Sequence, residues 1–255
     1  MSNPNQKVAI TIDHAAGGRL SSLVVHGHEL LVGRVDDPLN WGWYPMVPFA
    51  GRVRSGLLRF EDTSTQLPPY IGGHAIHGYG FVSPWDVVGE NEIRFDFDDP
   101  WPWRGSATQV FTLTDQSLTI SMRVDAIDRQ PVQVGWHPWF RRDIGNGCAA
   151  ELDFAPDFKF ERDETGLPSG ERVDPGRGPW DDCFGDLASN PVLRWGDLSL
   201  ELSSTATEWT VYDEPAHALC VEPQTGPPNQ VNDAPHILDG GESMTELFTL
   251  TWSRS

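Results

Sequence analysis

Apolar and polar residues alternate with a period of two over much of this 255-residue chain. In E-I-R-F-D-F-D, Ile93, Phe95 and Phe97 share one side while Arg94, Asp96 and Asp98 share the other, the spacing of a half-buried β-strand. Residues 108–124 read as a hairpin: Phe111 and Leu113 alternate with Thr112 and Thr114, Asp115–Ser117 turn, and Leu118, Ile120, Met122 and Val124 resume the apolar face. Near the carboxyl end Phe248, Leu250 and Trp252 alternate with Thr249 and Thr251. Further strands are predicted at 8–12, 19–26, 131–137, 198–203, 208–213 and 218–222. No run of twelve residues carries an amphipathic helical stripe, and 25 glycines and 21 prolines favour many turns over long helices. Without crossover helices the strands must pair antiparallel. The expected class is therefore all-β, with two packed sheets in one domain spanning residues 1–255. Residues 155–190, with E-T-G-L-P-S-G-E and D-P-G-R-G-P-W-D-D, are the irregular exception and read as a functional loop.

Charge narrows the partners. Eighteen basic against 37 acidic residues give a formal charge of −19, which repels nucleic acid and anionic membrane alike. It also disfavours a strongly anionic substrate, unless a local arginine cluster overrules the global field. Cys148, Cys183 and Cys220 are odd in number and lack C-x-x-C spacing, so neither a disulfide framework nor a zinc knuckle is expected. The amino-terminal M-S-N-P-N-Q-K-V-A-I lacks the apolar core of a secretory leader, and no 18-residue apolar run exists. A cytoplasmic protein is expected, its oligomeric state open.

Five clusters could carry chemistry. In P-V-Q-V-G-W-H-P-W-F, Val132, Val134 and Trp136 alternate toward the core, so His137 faces the other way with Gln133 and Gly135; Pro138 then constrains its backbone. It reads equally as a structural histidine capping a strand. In A-L-C-V-E-P-Q, Glu222 projects with Ala218 and Cys220, away from Leu219 and Val221. Partly apolar surroundings there would raise its pKa toward a general base's range; the plainer reading is a pair with a nearby arginine. G-G-H-A-I-H-G places His74 and His77 among glycines, in a spacing that suits neither a helical zinc motif nor a strand pair of ligands, so no metal is expected. Close approach of a ligand to a glycine-rich backbone is the better reading. P-F-A-G-R-V-R-S-G carries Arg52 and Arg54, and P-W-D-D-C-F carries Asp181 and Asp182, which by themselves read as surface charges.

Taken together these strings resemble the aldose 1-epimerase family, in order and over nearly the whole chain. P-F-A-G-R-V resembles the family's P-W-x-N-R-I, H-A-I-H-G its L-H-G, and G-W-H-P-W-F its H-P-Y-F. L-P-S-G-E is similar to its P-T-G element, D-D-C-F to its D-x-x-F, and V-E-P-Q to the segment of its late catalytic glutamate. The resemblance implies a galactose mutarotase-like antiparallel β-sandwich (a supersandwich) that needs no cofactor. It implies Glu222 as general base and His137 as general acid. Arg52, His77 and Asp181 would hold sugar oxygens, with His74 assisting. Gly51 stands where many members carry asparagine, so sugar contacts beside Arg52 must be supplied differently.

The implied substrate is a monosaccharide. A base takes the C1 hydroxyl proton while an acid protonates the ring oxygen; the open aldehyde turns about C1–C2 and recloses on the other face. Such chemistry suits a base lifted toward neutrality and an acid titrating near it. Trp136 and Trp139 could stack on the sugar, though core packing explains either. Three other readings compete: a hexose-6-phosphate 1-epimerase, drawing on Arg54, Arg141 or Arg142 beyond Arg52; a non-catalytic sugar-binding protein; and a glycosidase using Glu222 with Asp181, which leaves His137 without a role.

Overall fold

A computed structural model describes residues 8–255; residues 1–7, the start of the stretch inspected for a leader, lie outside the described residues. Antiparallel strands form a ten-stranded and an eight-stranded sheet, with three two-stranded ribbons beside them. The larger sheet runs Ala9–Asp13, Arg19–Val25, Trp43–Met46, Gly135–Arg141, Ala218–Gln224, Glu208–Tyr212, Asp181–Leu187, Pro156–Arg162 and Pro168–Val173, with His28–Glu29 beside Arg19–Val25. In the smaller sheet Ser243–Arg254 lies between Leu198–Ser204 and Ser117–Ala126, which pairs in turn with Gly105–Leu113.

Alternation in the sequence becomes burial in the sheet. Along Ser117–Ala126 the residues Leu118, Ile120, Met122, Val124 and Ala126 are buried while those between are not. The expected hairpin forms with Leu113 opposite Leu118. The two large sheets share one apolar core, in which Leu20, Trp43, Trp136, Leu219 and Val221 meet Leu118, Ile120, Phe248 and Leu250. Phe248 is its centre: the ring lies 4.9 Å from that of Trp43 and 5.9 Å from those of Trp136 and Trp209. Burying one such aromatic against three others makes Phe248→Ala cost about 3–5 kcal/mol.

Two expectations change. The predicted strand 131–137 divides: Gln130–Val132 pairs with His236–Leu238, and Gly135–Arg141 enters the large sheet. Residues 155–190 are not a loop but three strands, Pro156–Arg162, Pro168–Val173 and Asp181–Leu187, at one edge of that sheet. Phe158 and Phe160 alternate with Asp157, Lys159 and Glu161 there, whereas Pro168–Val173 is mostly exposed and so carries no apolar rhythm. Among the described residues the one α-helix is the single turn Gln230–Asp233, and no helix is long and apolar enough to cross a membrane.

Candidate active site

The strands at the middle of the larger sheet bury both faces. One packs on the smaller sheet; the other is the floor of a cavity of about 320 Å³, at the small end of the ~300–1,000 Å³ usual for small-molecule sites. Register decides what stands on that floor. Gly135 opposes Gln224 and Trp139 opposes Cys220, which leaves His137 facing Glu222. Tyr44 opposes His137 on one side, Thr210 opposes Glu222 on the other, and Cys183 opposes Thr210. Tyr44, His137, Glu222, Thr210 and Cys183 thus form one row across five strands, each step being the inter-strand spacing of ~4.8 Å. All five line the cavity.

His137 Nε2 lies 3.2 Å from Glu222 Oε1, and both side chains are almost wholly buried. Tyr44 stacks on the imidazole with ring centroids 4.7 Å apart, as does Trp139 at 5.5 Å. Burial pushes the Glu222 carboxyl well above the usual range, and the Asp181 carboxylate adds to that while Arg52 opposes it. Burial likewise holds His137 well below the usual histidine range, helped by His77. Burial therefore favours a neutral pair, the Glu222 carboxyl donating to His137 Nε2. The Glu222 carboxyl is raised, the direction expected of apolar surroundings, while His137 lies below the near-neutral range expected for it, because the cavity floor excludes water from the imidazole.

The far wall comes from the ribbon of Arg52–Val53 with Ala75–Ile76 and from the turn between the strands ending at Arg162 and starting at Pro168. Arg52 Nη1 donates to the Gly166 carbonyl at 3.2 Å, and its Nη2 lies 3.5 Å from Asp181 Oδ2. Arg162 reaches the same carboxylate oxygen at 3.0 Å. His77 follows directly on the ribbon with φ of +57°, a left-handed backbone that a non-glycine residue adopts at a cost. Its backbone N–H donates to Gly51 O at 2.9 Å, and its ring lies 5.2 Å from that of His137. Burial foremost, then Arg52, lowers His77 to about 3. Gly51 has φ of +65°, and a Cβ there would meet Pro228 at 3.0 Å, so a side chain is opposed by both backbone and neighbour.

Of the residues singled out in the sequence, Arg52, His77, His137, Asp181 and Glu222 all line this cavity. His74 does not. Its Nδ1 accepts from Ser55 N–H at 3.0 Å, so its Nε2–H donates to the Thr165 carbonyl at 3.2 Å, tying the ribbon to the opposite turn. Trp139 lines the cavity, but Trp136 points into the core and donates to Gln109 Oε1. Tyr44, Arg162, Thr210 and Gln224 were not foreseen as lining residues. Tyr44 lies in W-Y-P-M, where all four residues are buried and no alternation marks a face; Thr210 alternates like any strand residue.

Donor atoms of His137, Cys220 and Glu222 lie within 4.8 Å of one another, close enough to gather a metal ion. The remaining imidazole nitrogen, Nδ1, has no hydrogen-bond partner among the described residues. Metal-binding histidines are nearly always held through that second nitrogen, so the arrangement fits an acid–base pair better than a metal centre.

Fold and floor together define an all-β protein of the galactose mutarotase-like class. The chain belongs to the aldose 1-epimerase family, whose model matches residues 2–184, more than two thirds of its length. It is 29% identical over 106 residues to the uncharacterised protein YphB of Escherichia coli K12, a match covering 38% of this chain and only 36% of that relative. Among solved structures, a galactose mutarotase-like protein from Clostridium acetobutylicum superposes with a TM-score of 0.84 at 16% identity, over 98% of this chain and 94% of the other. A galactose 1-epimerase from Lactobacillus acidophilus superposes at 0.79 and 15% identity, over 100% and 93%. At such identities the superpositions speak for the fold.

Proposed function

We propose that this protein, acting as a single domain, interconverts the α and β anomers of a free aldose, with Glu222 as general base and His137 as general acid. The observation that carries the reading is the 3.2 Å contact between these two groups on the floor of the cavity. The two oxygens to be served, the anomeric hydroxyl and the ring oxygen, sit on one carbon, so adjacent acid and base atoms can address both.

The proton count closes on itself. The pair holds one proton, which first passes from the Glu222 carboxyl across the 3.2 Å contact to His137 Nε2. In ring opening the C1 hydroxyl gives its proton to the Glu222 carboxylate while the His137 imidazolium protonates the ring oxygen; the C1–ring-oxygen bond breaks and the aldehyde forms. That leaves the carboxyl protonated and the imidazole neutral, the state that burial favours. After rotation about C1–C2, the ring hydroxyl attacks the other face of the aldehyde, His137 takes its proton, and Glu222 returns one to the carbonyl oxygen. Each group is expected to contribute ~10²–10⁴-fold. That Arg52, His77 and Asp181 line the same cavity supports a role for them in holding the remaining hydroxyls, and Trp139, also in the lining, would offer an apolar ring face to the sugar.

Charge pairing favours a free sugar over its phosphate. Arg52 and Arg162 both engage Asp181, and Lys159, beside the cavity, engages Asp182 at 3.1 Å. A phosphate would have to displace a carboxylate from each cation it met. The test is anomer exchange measured by NMR over a panel of aldoses and their 6-phosphates. Faster exchange of free aldoses is expected. Strict preference for the phosphates would reverse the substrate assignment, and sugar binding with unchanged exchange would make the protein a non-catalytic binder.

A further inference from the structure

Arg19 is a buried cation that the chemistry above does not use. It is 1% exposed, and among the described residues no carboxylate forms an ion pair with it. Four backbone carbonyls take its hydrogen bonds: Ala16 at 2.6 Å, and Pro38, Trp41 and Phe81 each at 2.8 Å. Its guanidinium carbon lies 4.1 Å from the ring centroid of Trp41 and 5.0 Å from that of Tyr44. Tyr44 is itself fixed, its hydroxyl donating to the Leu39 carbonyl at 3.1 Å, and its ring is the one stacked 4.7 Å from His137. A column therefore runs from the buried guanidinium through one aromatic ring to the imidazole.

Burial of a charge without an ion-pair partner is costly, and here carbonyl dipoles, two aromatic faces and the more distant Asp13 carboxylate offset it. That cost is out of proportion to tying loops together, which a neutral donor could also do. We propose that Arg19 and Tyr44 are positioning residues for His137. The Tyr44 ring fixes the imidazole plane that aims Nε2 at Glu222, and the Arg19 charge makes the imidazolium a stronger acid. The inference rests on the acid role given to His137 above. Its physical basis is that a like charge in low dielectric disfavours the protonated ring, and Arg19 acts in that direction on His137. Other groups face the same ring: Glu222 and Cys220 from the neighbouring strand, Tyr44 from the strand on the other side, and His77 from the ribbon. Asp181 and Arg52 stand beyond Glu222. Of these, Tyr44 is itself in contact with Arg19, which is why the charge-keeping Arg19→Lys is compared with Arg19→Gln.

The test is protonation of the His137 ring followed by NMR in histidine-labelled protein, its signals assigned by their loss in His137→Asn. In Arg19→Gln the onset of protonation should move to higher pH, while Arg19→Lys, which keeps the charge, should follow the wild type. A purely structural role would leave the onset unmoved in both or shift both alike, and either result overturns the proposal. Should Arg19→Gln fail to fold, Tyr44 decides. Tyr44→Leu should lose kcat by about tenfold or more with KM little changed, and Tyr44→Phe, which restores the ring, should recover most of that loss; equal rates in the two variants overturn the proposal. Ring titration needs no turnover, so a wild-type protein inactive on every aldose would defeat the functional reading without touching this readout.

Discussion

The two faces of the same central strands are built on opposite rules. Toward the smaller sheet, Trp136, Phe140, Leu219 and Val221 pack into a dry core, and the indole N–H of Trp136 finds Gln109. Toward the cavity, one residue further along, stand His137, Trp139, Cys220 and Glu222. There, among the described residues, ring nitrogens of His77, His137 and Trp139 lack partners, and Glu222, His137 and His77 are held away from their ordinary protonation. The first face supplies stability and the second gives some of it up. A period of two is enough to keep these demands apart, because neighbours along a strand never share an environment.

Substitutions on the two faces should therefore separate activity from stability. Glu222→Gln keeps the shape of the floor and removes the base: turnover in anomer exchange should fall by about 10²–10⁴-fold with sugar affinity retained. On the opposite face Leu219→Ala, three residues away, should cost about 2–5 kcal/mol in denaturant unfolding, while the folded fraction turns over near the wild-type rate. A strong loss of activity without loss of stability at Leu219 would dissolve the distinction.

Proton linkage sharpens the contrast. Glu222 titrates above its unfolded value of 4.5, so above pH 4.5 the folded chain keeps a proton the unfolded chain has released, and stability falls as pH rises through that window. Glu222→Gln lacks this loss, and its Tm by calorimetry should gain on the wild type as pH climbs from 4.5. His77 works on the acid side. Held near 3 against an ordinary 6.5, it stays neutral while the unfolded chain takes up a proton, so stability is lost as pH falls from 6.5 toward 3. The smallest effect on turnover is expected at His74, which ties the ribbon to the turn at 163–167. His74→Ala should cost about 1–3 kcal/mol for two hydrogen bonds and leave kcat within about threefold; a large rise in KM alone would return it to the sugar.

How much of this was legible in the chain depends on the same alternation. It placed Glu222 opposite in direction to Leu219 and Val221, and His137 opposite to Trp136, which is the arrangement found. It also located five of the eight strands of the smaller sheet, Glu92–Asp96, Gly105–Leu113, Ser117–Ala126, Leu198–Ser204 and Ser243–Arg254, and missed the short strands Asp86–Gly89, Glu151–Asp153 and Val192–Trp195. It failed where both faces of a strand are buried, as at Trp43–Met46, and where neither is, as at Pro168–Val173; a binary pattern has no contrast to report in either case. The contact between positions 137 and 222 depends on a register between strands far apart in the chain, which no local pattern encodes. His74 misled for a related reason: its glycine-rich setting marks close backbone approach, but the approaching backbone is the chain's own turn at Thr165.

Where the anomeric carbon of a bound sugar lies decides whether the buried pair is an acid and a base or only part of a wall. A crystal structure of the Glu222→Gln variant with an aldose should place the C1 hydroxyl within hydrogen-bond reach of the substituted amide at position 222. The ring oxygen should lie within reach of His137 Nε2. A sugar seated in the cavity with C1 turned toward Arg162 and the far wall, away from both groups, would contradict the assignment.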